Sequence, residues 1–123
     1  MVRIGILGFA HGHVTGIAGE WQKHPEYGVE VVCGWDTDEN RCRKNCSDMG
    51  LEAMPSAGQL LSRADIGAVL ICSETACHAE LAAQAAEAKK QIILYKPMAL
   101  TLAQADSIVK AVNDNAAPFT VVR

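Results

Sequence analysis

The chain has 123 residues, half of them hydrophobic and a fifth charged, with a formal net charge of −3. This length predicts one domain, and the composition is ordinary for a soluble core. The longest basic run, residues 41–44, is interrupted by Cys42, so nucleic acid is not an expected partner. No apolar stretch reaches the ~20 residues of a membrane span. The first residues also lack a signal-peptide design, and we expect neither membrane contact nor export.

An apolar run over residues 2–7 stops abruptly at Gly8. This pattern predicts a buried parallel strand that turns tightly into a helix. The helix is indicated by apolar residues at i, i+3, i+4 and i+7, and it should end at His24, because the residue before a proline avoids the helical region. The apolar positions are Val14, Ile17, Ala18 and Trp21.

The largely apolar run over residues 29–35 predicts the second strand, which ends before Asp36. Asp38 offers an N-cap for a helix that runs to about Met49 and stops at Gly50. Residues 51–54 fit a short third strand, and Ser56 caps a brief helix after it.

The continuous apolar run over residues 68–72 predicts a strand that is covered on both faces. An alanine-rich helix follows over residues 76–89, and residues 91–95 predict the fifth strand. Thr101 caps a further helix, and residues 119–122 predict the last strand.

Strands alternate with helices along the whole chain, and no repeat or low-complexity segment interrupts them. Such alternation gives a parallel sheet with helices on both faces and right-handed crossovers. We therefore predict an α/β fold with three α/β/α layers, a doubly wound sheet with strand order 3-2-1-4-5-6. A ligand crevice is expected where the first and fourth strands part.

The turn after the first strand partly matches the dinucleotide fingerprint G-x-G-x-x-G. Gly8 occupies the first position, whereas Ala10 and His13 replace the second and third glycines. The amide N–H groups of such a turn can face a pyrophosphate. On this motif alone, a plain strand-to-helix turn of another α/β protein is an equally good interpretation. The turn residues are Gly8, Phe9, Ala10, His11, Gly12 and His13.

Asp36 ends the second strand 28 residues after Gly8, near the spacing of the acid that binds an adenosine ribose. A carboxylate accepts hydrogen bonds from both ribose hydroxyls and repels a 2′-phosphate, which favours NAD over NADP. A turn or cap role is the alternative for this aspartate. Arg41 or Arg43 is also a candidate partner for a 2′-phosphate, so NADP stays open as the less favoured cofactor.

Two further polar groups follow strands on the crevice side of the predicted sheet. His78 lies after the fourth strand, where it either faces a cofactor or occupies the first turn of a helix. The residues alone favour the structural role. Lys96 ends the fifth strand, and Pro97 holds it extended, so its side chain should project from the strand end.

The five cysteines are an odd number, and Cys33 and Cys72 lie in strand-like runs. They predict reduced thiols in a cytoplasmic protein instead of a disulfide framework. His11-x-His13 and Cys42-x-x-x-Cys46 have no matching second pair at zinc-site spacing, so we expect no metal.

Together these features resemble the N-terminal NAD(P)-binding Rossmann domain of the Gfo/Idh/MocA oxidoreductases, and the resemblance covers essentially the whole chain. It rests on the opening strand and glycine turn, on Asp36-Thr37-Asp38, on residues 68–78 and on Tyr95-Lys96-Pro97. The family's motif after the fifth strand is Glu-Lys-Pro, and Tyr95 stands at the position of the glutamate.

The resemblance implies hydride transfer between NAD(P) and a hydroxyl-bearing carbon of a sugar, polyol or related metabolite. It assigns Lys96 to catalysis, as a cation that contacts the nicotinamide ribose and the substrate hydroxyl and favours alkoxide character. With the resemblance, the expected cofactor-binding residues are Gly8, Phe9, Ala10, His11, Gly12, His13, Asp36, Thr37, Cys72, Ser73, Glu74, His78, Tyr95, Lys96 and Pro97.

Family members continue into a second domain that binds the substrate. We therefore expect residues 1–123 to be the cofactor domain of a longer chain, with little turnover alone. A non-catalytic dinucleotide-binding or redox-sensing module is the alternative that the short chain and Tyr95 suggest. A third interpretation is a domain that binds another adenosine-containing ligand, such as a methyl donor. The substrate and any homo-oligomer stay open.

Overall fold

A computed structural model of the chain describes residues 1–10, 12–95 and 99–122, the side chains of His13 and Val122 excepted. The predicted alternation of strands and helices is present throughout. The strands are β1 (Val2–Leu7), β2 (Val29–Trp35), β3 (Glu52–Ala53), β4 (Ala68–Ile71), β5 (Gln91–Tyr95) and β6 (Phe119–Val122). The helices are α1 (His13–Lys23), α2 (Glu39–Met49), α3 (Ala57–Leu61), α4 (His78–Glu87) and α5 (Leu102–Asn115).

The six strands form one sheet in the order β3-β2-β1-β4-β5-β6, and every neighbouring pair is parallel. The predicted strand order is thereby confirmed. The order reverses direction at β1, so β1 has β2 on one side and β4 on the other. In an open α/β sheet this switch point is where a crevice forms beyond the carboxyl ends of the strands.

The sheet separates two hydrophobic cores, because successive residues of a strand point to opposite faces. In β4, Val69 and Ile71 belong to the core that α3, α4 and α5 cover, whereas Leu70 belongs to the core that α1 and α2 cover. All four residues of β4 are buried, as its unbroken apolar sequence predicts. The fold therefore has the predicted three layers, with helices on both faces of the sheet.

Side-chain caps begin three of the helices at the predicted residues. The side chains of Asp38, Ser56 and Thr101 each accept a hydrogen bond from the backbone N–H three residues later. Such a cap satisfies an N–H group that has no partner within the helix. Local sequence therefore determines where α2, α3 and α5 begin.

Two predicted segments are shorter than expected. Of residues 51–54 only Glu52 and Ala53 pair with β2, and both are exposed at the edge of the sheet. The helix predicted over residues 76–89 is preceded by a single 3₁₀ turn over Thr75–Cys77 and runs from His78 to Glu87. The alanine-rich composition indicates a helix but carries no cap that fixes its first residue.

All five cysteines are free thiols, four of them buried. Burial raises the pKa of Cys33 to about 11 and that of Cys72 to about 12. Both thiols are therefore protonated at neutral pH, which makes them poor nucleophiles. In the described part of the chain, no helix is both long and apolar enough to cross a membrane.

Candidate functional site

The carboxyl ends of β1, β2 and β4 lie side by side. Leu7, the last residue of β1, is level with Trp35 of β2 and with Ile71 of β4. The next residues of the three strands therefore emerge together at one edge of the sheet. This edge carries Gly8, Asp36 and Cys72, as the sequence predicts.

The glycine turn after β1 is hydrogen-bonded to both neighbouring strands. The N–H of Gly8 donates to the carbonyl of Trp35 at 2.7 Å, and the N–H of Ala10 donates to that of Cys72 at 3.1 Å. Gly8 has φ of +99°, and a Cβ there would lie 2.4 Å from the Cα of Ser73. Only glycine fits this close approach of two backbones, which explains why the first position of the fingerprint is kept.

Asp36 is the buried carboxylate of this edge, since its side chain is 0 % exposed. The backbone N–H of Phe9 donates to its Oδ2 at 3.3 Å, so the glycine turn and the end of β2 are joined through this side chain. The Thr37 hydroxyl donates to Oδ1 at 3.3 Å, and the N–H of Asp38 does so at 3.5 Å. Asp36 therefore organises the turn as well as closing β2.

Arg41, from the first turn of α2, covers the Asp36 carboxylate with two hydrogen bonds. Its Nε donates to Oδ2, and its Nη2 donates to Oδ1 at 2.7 Å. The same Nη2 donates to Oε2 of Glu74 at 2.9 Å, so one guanidinium bridges the ends of β2 and β4. A bidentate pair of this kind has a fixed geometry and is stronger than a point-charge contact. The residue spacing does not reveal this bridge.

The ion pair controls the protonation of both acids. Burial by itself would raise the pKa of Asp36, but the hydrogen bonds and charge of Arg41, with the amides of Asp38 and Phe9, hold it below the ordinary value. The pKa of Glu74 is also lowered, chiefly by its hydrogen bond from Arg41. Both carboxylates are therefore ionised at neutral pH.

This arrangement predicts a loss of stability in acid. Stability from an acid with a lowered folded-state pKa is complete above its unfolded pKa and is lost as the pH falls through the folded value. We expect the free energy of unfolding, measured by urea denaturation, to decrease below about pH 4. Arg41→Met removes the group that lowers the Asp36 pKa and should flatten this decrease. An unchanged acid slope in the variant would contradict the assignment.

A cavity of about 670 Å³ opens beside Asp36, between the carboxyl ends of β2 and β3. The sequence predicted Asp36 and Thr37 and offered Arg43 as a candidate partner for a 2′-phosphate, but it did not reveal the rest of the lining. The predicted strand order could have indicated these residues, because β3 lies beside β2 and the residues after both strands therefore meet at one edge. The lining residues are Trp35, Asp36, Thr37, Glu39, Cys42, Arg43, Ala53, Met54 and Pro55.

His78 is fully buried as the first residue of α4. Its Nε2 lies 3.1 Å from the backbone carbonyl oxygen of Ser73, which places it behind the loop that follows β4. This contact fits the supporting role that the residues alone favour, and the cofactor contact that the resemblance implies stays a prediction. Cys72 and Ser73 are also fully buried, so they border the edge through their backbones, whereas Glu74 is exposed.

These geometric features are accompanied by a direct sequence match. The sequence model described as "Oxidoreductase family, NAD-binding Rossmann fold" matches residues 2–122. The chain belongs to the Gfo/Idh/MocA oxidoreductase family. The match extends from β1 to β6 and therefore includes every strand of the sheet.

Curated Gfo/Idh/MocA-like relatives include the myo-inositol 2-dehydrogenase of Thermotoga maritima, 32% identical over 110 residues. Inositol 2-dehydrogenase 3 of Saccharopolyspora erythraea is 33% identical over 116 residues. Each alignment covers 89% of this chain and 32% of the relative, so the chain spans about a third of their length. The crystal structure of a probable dehydrogenase from Thermotoga maritima superposes with a TM-score of 0.85 at 27% identity, covering 98% of this chain and 35% of that one.

Several predicted Gfo/Idh/MocA residues fall outside the described residues. They are His11 of the glycine turn and the Lys96-Pro97 pair after β5, while His13 is described only by its backbone. Tyr95, at the position of the family's glutamate, is the last residue of β5 and is buried. The roles of Lys96 and Pro97 therefore stay predictions.

Proposed function

We propose that this chain is the cofactor-binding domain of an oxidoreductase that transfers hydride between NAD and a hydroxyl-bearing carbon of a polyol or sugar. The observation that carries the proposal is the buried Asp36 carboxylate after β2, one strand from the switch point and bonded to the glycine turn, in a chain of the Gfo/Idh/MocA family. Two of its relatives are named as inositol dehydrogenases, which supports a polyol.

The residues present fit a dinucleotide along the carboxyl edge of the sheet. The cavity beside Asp36 lies where an adenosine would reach this carboxylate, and its volume of about 670 Å³ is in the range of ligand pockets. In our proposal the ribose hydroxyls donate to Asp36, which requires that they replace part of its bonding to Arg41.

The pyrophosphate would then lie against the beginning of α1. The amides of Gly8, Phe9 and Ala10 already donate within the protein, so they build the turn instead of facing a ligand. The first turn of α1 has no acidic residue, and Gly12 at its N-cap has no side chain that could accept from the first N–H groups. A helix begins with N–H groups that have no intrahelical partner, and these favour an anion.

When bound, the nicotinamide supplies the acceptor of the hydride. We assign this chain's part in the reaction to Lys96, the residue after Tyr95 in the sequence. Tyr95 ends β5, which is parallel to β4. The Lys96 ammonium would contact the substrate oxygen and stabilise the alkoxide formed when the hydroxyl proton passes to a base or to water. Hydride would then leave the alkoxide carbon, and the oxygen would become a carbonyl. We further propose that the substrate is held by a second domain of a longer chain, as the length of the relatives supports.

Binding of the cofactor is tested by calorimetric titration of the purified chain with NADH and NADPH. We expect NADH to bind and Asp36→Ala to weaken its affinity at least about tenfold, because two hydrogen bonds to a charged group are lost. Asp48→Ala is the matched control, since this exposed aspartate lies at the far end of α2. Failure of both dinucleotides to bind would contradict the proposal.

A non-catalytic dinucleotide sensor is the second candidate, favoured by Tyr95 in place of the family's glutamate. The two candidates share the binding site and differ in turnover. Oxidation of polyols by the complete protein, followed by NADH absorbance, distinguishes them. The oligomeric state and the cytoplasmic location stay predictions.

A further inference from the structure

Glu74 is a second acid at the proposed ribose site. The resemblance places it among the cofactor-binding residues without saying what its carboxylate does there. It lies in the loop after β4, while its partner Arg41 lies on α2, which follows β2. Its Oε2 accepts from Arg41 Nη2 at 2.9 Å, and its Oε1 lies 3.5 Å from the Thr37 hydroxyl. Glu74 therefore meets the same guanidinium that covers Asp36.

We propose that Glu74 is a specificity-determining residue that makes the site select NAD against NADP by keeping the Arg41 guanidinium bound to carboxylate. The proposal rests on the proposed function, since it concerns the same dinucleotide site. This role of Glu74 differs from that of Asp36, which accepts hydrogen bonds from the ribose hydroxyls.

Exposure determines which of the three side chains a 2′-phosphate would meet first. The Asp36 side chain is 0 % exposed, whereas those of Arg41 and Glu74 are 30 % and 46 % exposed. Glu74 and Arg41 therefore form the solvent side of the network, and Asp36 forms its buried side. A phosphate that approached Arg41 would be brought next to the Glu74 carboxylate.

The charges of this network oppose a second anion. Two carboxylates and one guanidinium give the trio a formal charge of −1, because all three groups are ionised at neutral pH. The 2′-phosphate of NADP would add about −1.5 to −2 at the same place. The neutral ribose hydroxyl of NAD meets no such repulsion.

Glu74 has its largest effect on selectivity once the ribose hydroxyls have formed hydrogen bonds with the Asp36 carboxylate. Each oxygen of Asp36 already accepts at least two hydrogen bonds, and Arg41 supplies one to each oxygen. A carboxylate offers about four acceptor positions, so ribose hydroxyls must displace Arg41 from Asp36. Glu74 then retains the displaced guanidinium. Without Glu74, the guanidinium is available to a 2′-phosphate, for which its planar donors are well suited.

The test compares wild type, Glu74→Gln and the double variant Glu74→Gln/Arg41→Met by displacement of NADH fluorescence with NAD and with NADP. Glutamine keeps the length of the side chain and removes its charge. We expect Glu74→Gln to raise the affinity for NADP about tenfold relative to that for NAD, and the double variant to lose this gain. Glu87→Gln is the control for net charge, because Glu87 is exposed at the other end of α4.

Four outcomes would overturn the inference. They are an unchanged NAD-to-NADP ratio in Glu74→Gln, a gain that persists in the double variant, an equal gain in Glu87→Gln, and a wild type that binds neither dinucleotide. Only the last of these also overturns the proposed function. Thermal melts of each variant confirm that the folded protein is being compared.

Discussion

Gly8→Ala is expected to lower the free energy of unfolding by on the order of 3 kcal/mol, since backbone strain and overpacking each cost about 1–3 kcal/mol. The added Cβ would lie 2.4 Å from Cα and 2.5 Å from the backbone N of Ser73, which no rotamer change relieves. The φ of +99° is also unfavourable for alanine. Urea denaturation of the purified variant measures the loss.

Gly12→Ala is the matched control in the same turn. A Cβ at Gly12 has open space around it, and its φ of −60° suits alanine. We expect a change within about 1 kcal/mol, in either direction. Equal losses for the two variants would show that any side chain disrupts the turn, and the close approach of Gly8 to Ser73 would then not be the cause.

Lys96→Ala is expected to reduce the proposed turnover of the complete protein on the order of 10²- to 10³-fold, the usual cost of removing one group that stabilises a developing oxyanion. The affinity for NADH should change much less, because the proposed role of Lys96 concerns the alkoxide that develops on the substrate. Steady-state rates with a polyol substrate and a separate NADH titration distinguish the two effects.

Lys110→Ala provides a control for the removal of a lysine. Lys110 is exposed on α5, where it pairs with Asp114 one turn later, and we expect its loss to leave turnover unchanged. Turnover of Lys96→Ala within threefold of wild type would remove Lys96 from the mechanism. A parallel fall in NADH affinity would instead assign it to cofactor binding.

The strand order was predictable from sequence because each level of local information agrees with the fold. Apolar runs mark β1 and β4, the caps Asp38 and Thr101 mark helix starts, and alternation of strands and helices leaves few topologies. The boundaries of β3 and α4 were less predictable. An exposed two-residue edge strand and a helix preceded by a 3₁₀ turn have no strong sequence signature.

The position of Asp36 was likewise predictable, because strand ends that share an edge bring their following residues together. The hydrogen-bond partners of its carboxylate were not predictable. The bridge from Asp36 through Arg41 to Glu74 joins residues up to 38 positions apart, and it depends on how α2 lies against the sheet. The cavity beside it depends in the same way on β3, which local sequence only weakly indicates.

Amide chemical shifts can locate the dinucleotide on the sheet residue by residue. We expect addition of NADH to the ¹⁵N-labelled chain to shift chiefly the amides of Gly12, Thr37 and Glu74, beyond the carboxyl ends of the strands. Gly28 and Gly67 lie before β2 and β4 at the opposite edge and should not shift. Shifts concentrated at Gly28 and Gly67, or none at saturating NADH, would contradict a dinucleotide site at the carboxyl edge.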